Sequence, residues 1–350
     1  MMMTDISKPN SLDWPTLLGD NARTGKQGQR NAHSPEKAVW QFRAGDAVRS
    51  APVLKDGMLY VAAVNGQIYA VDVATGTEKW NFAVTDQLHS TPSLSGNKVL
   101  FGCDDGKVYA LDRNSGKKLW EAQTQAEVWS SPAVRNGVAF IGSADGNVYA
   151  VDAESGRQKW SKDLGGRIYS TPYVEEQQLY LGCGDGKLYC LAADSGRILW
   201  EAPTGNGIDS SPAVVDDLVL VGSEDFFVYA LNARSGEVRW KYETGLGISS
   251  SPAVSGNLVV IGSKDGFLYA LDVQSGQLRW KTVVGEVVTS SAVIAENAVC
   301  IQAEGLVALD PVSGKLLWRA GLGAGIQSVP VLTADTIYVA SLSGETYALR

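Results

Sequence analysis

Short runs of alternating or β-branched residues, separated by polar turns, repeat along most of the chain. In residues 128–160, VWSSPAVRNGVAFIGSADGNVYAVDAESGRQKW, one run follows Ser-Ser-Pro, a second is VAFIGSA and a third is NVYAVD. A fourth run contains Trp160. Asp-Gly between the second and third runs favours a two-residue hairpin turn, because both positions adopt positive φ. No window sustains a helical period, so the pattern predicts four short antiparallel strands per repeat and few helices.

A tryptophan marks each repeat. Seven of these tryptophans recur at intervals of forty residues, and the eighth follows after thirty-eight. They are Trp40, Trp80, Trp120, Trp160, Trp200, Trp240, Trp280 and Trp318. Four strands in roughly forty residues are typical of a propeller blade, which buries its faces only by stacking on neighbours. The sequence therefore predicts an all-β chain folded as a single eight-bladed β-propeller with four antiparallel strands in each blade.

The two ends of the repeat array predict how the propeller closes. The last repeat stops after its third strand, whereas Trp40 has no preceding turn. We therefore expect residues 36–44 to form the outer strand of the last blade, which removes an open edge. Residues 1–35 are predicted to be an N-terminal extension and 36–350 the propeller. The predicted blades are 45–84, 85–124, 125–164, 165–204, 205–244, 245–284, 285–322 and 323–350, and the seventh lacks the Asp-Gly hairpin.

Composition and charge exclude several classes of function. The formal net charge is −8, with acidic and basic residues interspersed, which argues against a nucleic-acid binder. No apolar run is long enough to span a membrane, so we expect no direct membrane span. Four isolated cysteines and two histidines offer no clustered zinc ligands. Unpaired cysteines and the lack of a signal-like N-terminus favour a cytoplasmic location, with a periplasmic location as the alternative if a signal peptide has been removed.

The run A-x-D-x-x-[ST]-G-x-x-x-W resembles the tryptophan-docking motif of PQQ-type β-propeller repeats. Its copies range from AVDVATGTEKW at 70–80 to ALDPVSGKLLW at 308–318, and the resemblance covers residues 14–350. It implies that the eight tryptophans are structural, each packing between blades against the glycine turn of the next blade. Two copies depart from the motif, with Ala192 and Asn232 in place of the usual Asp.

This family includes proteins of different function. Its large quinoprotein dehydrogenases bind PQQ and calcium in the central funnel, whereas an outer-membrane barrel-assembly lipoprotein with the same eight blades is a binding platform. The dehydrogenases carry adjacent cysteines and long insertions, and this chain has neither. We interpret the repeated turn carboxylates as turn residues rather than calcium ligands; they are Asp105, Asp145, Asp185, Asp225 and Asp265.

We therefore predict a non-catalytic platform that binds another protein or a small ligand, with no cofactor, no metal site and no catalytic residue. The alternatives are a PQQ-dependent dehydrogenase, which would need PQQ with calcium, and a subunit of a larger assembly. A monomeric propeller within a complex with another protein is the expected state.

One position of the repeat varies, although the aliphatic residue before it and the Ser after it are kept. It precedes the first Ser of each repeat, at the start of an inner strand, so its residues are expected to circle one mouth of the central channel. Drift at a solvent-facing site would explain this variation, and so would recognition of a partner, which aromatic residues and Arg favour. These mouth residues are Arg49, His89, Trp129, Tyr169, Asp209, Ser249, Thr289 and Gln327. In blade five, Phe226 and Phe227 stand at an exposed hairpin and are predicted to pack on a neighbouring blade or contact a partner.

Overall fold

The fold is an eight-bladed all-β propeller, as the sequence predicts. The computed structural model describes residues 32–321 and 328–350, together with the backbone of residues 26–27. Every regular element in these residues is a β-strand, and the strands form eight sheets. Each sheet has four antiparallel strands that follow one another outward from the channel, and one sheet carries a fifth.

The strands of the blades occupy four positions, counted outward from the channel. The inner strands are Val53–Lys55, Ser93–Ser95, Ala133–Arg135, Tyr173–Glu175, Ala213–Val215, Ala253–Ser255, Val293–Ala295 and Val331–Leu332. The second strands are Met58–Ala63, Lys98–Gly102, Val138–Gly142, Gln178–Cys183, Leu218–Gly222, Leu258–Gly262, Val299–Ala303 and Ile337–Ala340. The third strands are Gln67–Asp72, Lys107–Asp112, Asn147–Asp152, Lys187–Ala192, Phe227–Asn232, Phe267–Asp272, Gly305–Leu309 and Glu345–Leu349. The outer strands are Glu78–Ala83, Lys118–Gln123, Gln158–Asp163, Ile198–Pro203, Val238–Glu243, Leu278–Val283, Leu316–Ala320 and Ala38–Arg43.

The N-terminal part of the chain closes the propeller. Ala38–Arg43 pairs antiparallel with Glu345–Leu349, and Trp40 lies opposite Ala348. The backbone N–H of Lys37 also donates to the carbonyl oxygen of Arg350 at 3.1 Å. The predicted closure is therefore confirmed, and it leaves the last blade with a complete set of four strands.

Each repeat tryptophan docks on the next blade. The Nε1–H of Trp120 donates to the carbonyl oxygen of Ala153 at 3.2 Å, and a Cβ on Gly156 would lie only 2.7 Å from the indole. This contact requires glycine, because any side chain would overlap the tryptophan. Six of the other tryptophans, all except Trp318, make the same hydrogen bond to the next blade, with acceptors Val73, Arg113, Ala193, Ala233, Val273 and Pro311.

Hydroxyl groups join the inner strands of neighbouring blades. The backbone N–H of Thr91 donates to Ser131 Oγ at 3.0 Å, and the N–H of Ser131 donates to Thr171 Oγ1 at 3.2 Å. The relay begins at the N–H of Ala51 and ends at Ser291 Oγ. It satisfies buried backbone donors next to the channel, which explains the second Ser or Thr of repeats two to seven.

Blade seven differs from the others at two places. Its second and third strands meet at Ala303 and Gly305, without the Asp-Gly hairpin, as the sequence predicts. In addition, Lys26–Gln27 pairs in parallel with the inner strand Val293–Ala295, so this sheet has a fifth strand on the channel side. The sequence assigned residues 1–35 to an extension and did not predict this strand.

Candidate functional site

The mouth residues lie on one face of the propeller. Successive strands of a blade run in opposite directions, so the outer-to-inner connections share an end with the hairpins between second and third strands. Each mouth residue closes such a connection, and the aliphatic residue before it, such as Val128 or Ile168, is fully buried. Arg49 and Thr289 are exposed on blades one and seven, and Ser249 is partly buried on blade six. The predicted mouth residue Gln327 lies outside the described residues.

Three mouth residues form an aromatic stack, which we define as His89, Trp129 and Tyr169. The ring centroids of Trp129 and Tyr169 are 4.6 Å apart with an interplanar angle of 21°. The centroids of His89 and Trp129 are 4.7 Å apart with an angle of 34°. Because blades two and four flank blade three, His89 and Tyr169 lie on either side of Trp129 in the ring of blades. Trp129, the middle residue of the stack, is nevertheless 40% exposed.

Charged groups hold both ends of the aromatic stack. His89 Nδ1 lies 3.1 Å from a carboxylate oxygen of Asp104 on the hairpin of the same blade. At the other end, the Arg167 guanidinium lies 5.2 Å from the centroid of the Tyr169 ring, within the range of a cation–π contact. The same guanidinium is 3.8 Å from Asp209. The structure therefore brings together four of the predicted mouth residues on blades two to five.

Asp209 is a recessed acid at the end of this arrangement. Its side chain is 23% exposed, and its Oδ1 is buried without a hydrogen-bond partner among the described residues. Burial raises the pKa of the Asp209 carboxyl, Arg167 lowers it, Glu224 raises it and Lys264 lowers it. Glu224 and Lys264 themselves form an ion pair of 2.6 Å on the adjacent hairpins.

Sequence reasoning missed the charged partners of the mouth residues. Asp104 and Glu224 precede the turn carboxylates of their hairpins, and Arg167 stands two residues before a mouth residue. The forty-residue period places these positions on the mouth face, and it is the signal that could have found them. What the period does not show is that each side chain reaches a neighbouring residue on the same face.

The aromatic pair of blade five lies on the same face. Phe226 has a φ of 79°, a left-handed conformation that favours glycine, and its side chain is 43% exposed. Phe227 lies beneath Lys241, whose Nζ is 4.3 Å from the ring centroid. Phe226 is thus an exposed aromatic residue held in a costly backbone conformation, and such outliers cluster at functional sites.

The turn carboxylates are occupied by their own blades. Asp145 accepts hydrogen bonds from the backbone N–H groups of Gln125 and Asn147 at 2.8 Å and from the Tyr149 hydroxyl at 2.7 Å. A tyrosine four residues after each of the other turn carboxylates makes the same contact, and these are Tyr109, Tyr189, Tyr229 and Tyr269. A calcium ion needs several converging oxygens, which these separated and saturated carboxylates do not provide.

A quinone cofactor bound through calcium would need converging metal ligands. Over residues 32–321 and 328–350, no group of three His, Cys, Asp or Glu side chains is arranged to hold a metal ion. The four cysteines are separate, free and buried, and burial raises the pKa of each thiol to about 12. They therefore do not form the adjacent pair that the family's dehydrogenases carry.

The sequence matches the model of the family described as outer membrane protein assembly factor BamB, over residues 28–129, 104–186 and 178–350. The chain belongs to this family. No curated protein matches the chain in sequence. The described residues contain no helix that is long and apolar enough to cross a membrane.

Solved structures of different function share the family's fold. BamB from Moraxella catarrhalis is 17% identical with a TM-score of 0.78, and the match covers 90% of this chain and 99% of that one. The quinohemoprotein alcohol dehydrogenase from Comamonas testosteroni is 17% identical with a TM-score of 0.82, covering 97% and 80%. A europium-containing methanol dehydrogenase is 14% identical with a TM-score of 0.83, covering 97% and 98%. Likeness at this level shows the fold alone, and it includes both an assembly factor and dehydrogenases.

Proposed function

We propose that this protein is a non-catalytic platform that binds another protein through the mouth face. The observation that supports this most strongly is the aromatic stack of His89, Trp129 and Tyr169 with its charged ends. Binding hot spots are enriched in Trp, Tyr and Arg, and the stack places partly exposed Trp129 and Tyr169 beside Arg167. Because the neighbouring rings of His89 and Tyr169 already stack on Trp129, the site suits contacts with a protein surface better than intercalation of a flat ligand.

Membership of the BamB family supports an assembly role rather than catalysis. The family is described by its part in the assembly of outer membrane proteins. By this likeness, the chain would act as a subunit of a larger assembly, and the reference to the outer membrane favours the periplasmic alternative over the cytoplasmic one. Phe226 and Phe227 would extend the contact surface along blade five.

The docking surface is tested by site-specific photocrosslinking. A photoreactive amino acid placed at Trp129 is expected to give a discrete protein adduct in cells. The same group at exposed Thr289, on the same face, is the matched control and is expected to give little of that adduct. Adduct formation at another stack position, His89, should be lost when Arg49, Trp129 and Tyr169 are all replaced by Ala. Crosslinking that is equal at Trp129 and Thr289, or that survives the triple change, would contradict the proposal.

A PQQ-dependent dehydrogenase is the second candidate, favoured by its shared fold. Calorimetric titration with PQQ, with and without calcium, separates the two candidates. We expect no saturable heat, because the described carboxylates are engaged in their own hairpins. Binding at micromolar affinity or tighter, about −8 kcal/mol, would replace the platform by an enzyme.

A further inference from the structure

The channel-facing edge of blade seven carries a strand from the N-terminal part of the same chain. Lys26 pairs with Ile294 and Gln27 with Ala295, in parallel. The inner strand has one edge bonded to the second strand of its blade, so the added strand lies on its other edge, toward the channel axis. The same two residues also approach the inner strand of blade six.

The direction of this strand follows from the pairing. The inner strand of blade seven runs away from the mouth face, since mouth residue Thr289 precedes it and the turn that contains Asn297 follows it. A parallel partner therefore points from the mouth toward the opposite end of the channel.

Ala32 is fixed at that opposite end. Its backbone N–H donates to Asn297 Oδ1 at 2.7 Å, and its carbonyl oxygen accepts from Asn297 Nδ2 and Trp318 Nε1, each at 3.3 Å. In blades two and six the equivalent residues, Asn97 and Asn257, bond instead to an Asp of their own blade. Blade seven thus uses this asparagine to hold the N-terminal part of the chain.

Trp318, like Asn297, bonds to the N-terminal part of the chain. The other seven repeat tryptophans donate to a carbonyl group in the next blade's turn, and Ala32 supplies that acceptor at the last junction. The parallel pair and the anchored Ala32 are therefore two independent contacts between blade seven and the N-terminal part of the chain.

We propose that the channel-facing edge of blade seven is a strand-binding site whose occupant is the chain's own segment around Lys26–Gln27. The site recognises an extended backbone that runs away from the mouth face, because main-chain hydrogen bonds supply the binding. By occupying this edge, the segment prevents other extended peptides from binding in the channel. The mouth residues are then the surface available to partners. Neither the segment nor its anchor depends on the proposed docking at the aromatic stack.

A disulfide trap in the full chain tests the register. Gln27→Cys with Ala295→Cys is expected to crosslink within the chain on mild oxidation, and peptide mapping identifies the bond. The matched control is Gln27→Cys with Ser95→Cys, which places the second thiol at the equivalent position of blade two. Failure of the first pair, or equal crosslinking of the two, would overturn the proposal.

A peptide competition provides a second measurement. A labelled peptide of residues 20–31, DNARTGKQGQRN, is titrated into the wild-type chain and into the Gln27→Pro variant, whose proline cannot donate a backbone hydrogen bond. Because the resident strand reduces the free fraction of the site, we expect the variant to bind the peptide about tenfold more tightly or better. The same peptide with proline at the Lys26 and Gln27 positions is the control. Equal binding by the wild type and the variant would rule out a site occupied by its own chain.

Discussion

Phe226 occupies in blade five the hairpin position that Gly266 occupies in blade six, with φ values of 79° and 86°. Glycine adopts this conformation without steric cost, whereas a phenylalanine is strained there. The exposed ring of Phe226 does not recover this cost by burial. We therefore expect Phe226 to serve an interaction outside the chain rather than folding.

Replacing Phe226 by Gly is expected to stabilise the protein by about 1 kcal/mol, the relief of strain less the entropy cost of glycine. Urea unfolding measures this as a higher midpoint with an unchanged slope. If Phe226 contacts the partner, the same variant also loses adduct formation from Trp129. The reverse change, Gly266→Phe, is the control for stability and should lower the midpoint. A Phe226→Gly variant that is less stable than wild type would show that the ring packs within the fold.

The glycine turns under the tryptophans predict a second difference in stability. Gly156→Ala forces a Cβ to within 2.7 Å of the Trp120 ring, whereas Gly137→Ala, also at positive φ, meets nothing within 4 Å. Both variants place a side chain at positive φ, so the difference between their free energies of unfolding reports the overlap of the new Cβ with the Trp120 ring. We expect this overlap to cost about 2 kcal/mol. Thermal unfolding of the two variants measures it. Equal melting temperatures would mean that the tryptophan moves aside at little cost.

Asp209 predicts a dependence of stability on pH. Burial raises the pKa of this carboxyl above its ordinary value of 3.8, so the folded state binds the proton more tightly than the unfolded state. The resulting stabilisation is present below the unfolded pKa and is lost as the pH rises through the folded pKa. Asp209→Asn should therefore gain stability relative to wild type as the pH is raised from 3 to 7. If Asp209→Asn instead loses stability relative to wild type as the pH rises, an ion pair with Arg167 outweighs the effect of burial on the carboxyl.

The hydroxyl relay predicts a specific cost of losing one serine. Ser131→Ala removes the acceptor of the Thr91 backbone N–H and leaves a buried donor unpaired, which costs about 1–3 kcal/mol. Thr91→Ser is the conservative control, because it keeps a hydroxyl at the adjacent step and loses only a methyl group. Chemical denaturation compares the two variants. A smaller loss in Ser131→Ala than in Thr91→Ser would mean that the relay contributes little.

The four buried thiols are expected to react slowly with a thiol reagent in the folded state. Burial raises the pKa of Cys103, Cys183, Cys190 and Cys300 to about 12, so few thiolates exist at pH 8. A thiol reagent should modify them only after denaturant is added, which absorbance of the released product follows. Rapid modification of one thiol in the native protein would identify a local opening around that residue.

Strands, blade number and closure could be predicted because they repeat. The period of the tryptophans fixes the blades, and the lone Trp40 fixes the closure by Ala38–Arg43. The grouping of His89, Trp129 and Tyr169 on one face also follows from their equivalent positions in consecutive blades.

Two features could not be predicted, because they depend on contacts that no period encodes. The approach of Arg167 to both Tyr169 and Asp209 depends on the rotamer of a long side chain in a connection between blades. The strand Lys26–Gln27 has no alternation of its own, and only its partner on blade seven makes it a strand.

Closure by Ala38–Arg43 also sets an order of events during synthesis. This strand leaves the ribosome early, whereas its partner Glu345–Leu349 leaves some three hundred residues later. Until that partner is made, Ala38–Arg43 has no sheet to join. Once the other three strands of the last blade have formed, they present an open edge until Ala38–Arg43 pairs with it. The nascent chain therefore carries an unpaired strand through almost all of translation. The rate of the last pairing determines how long an aggregation-prone edge is exposed to neighbouring chains.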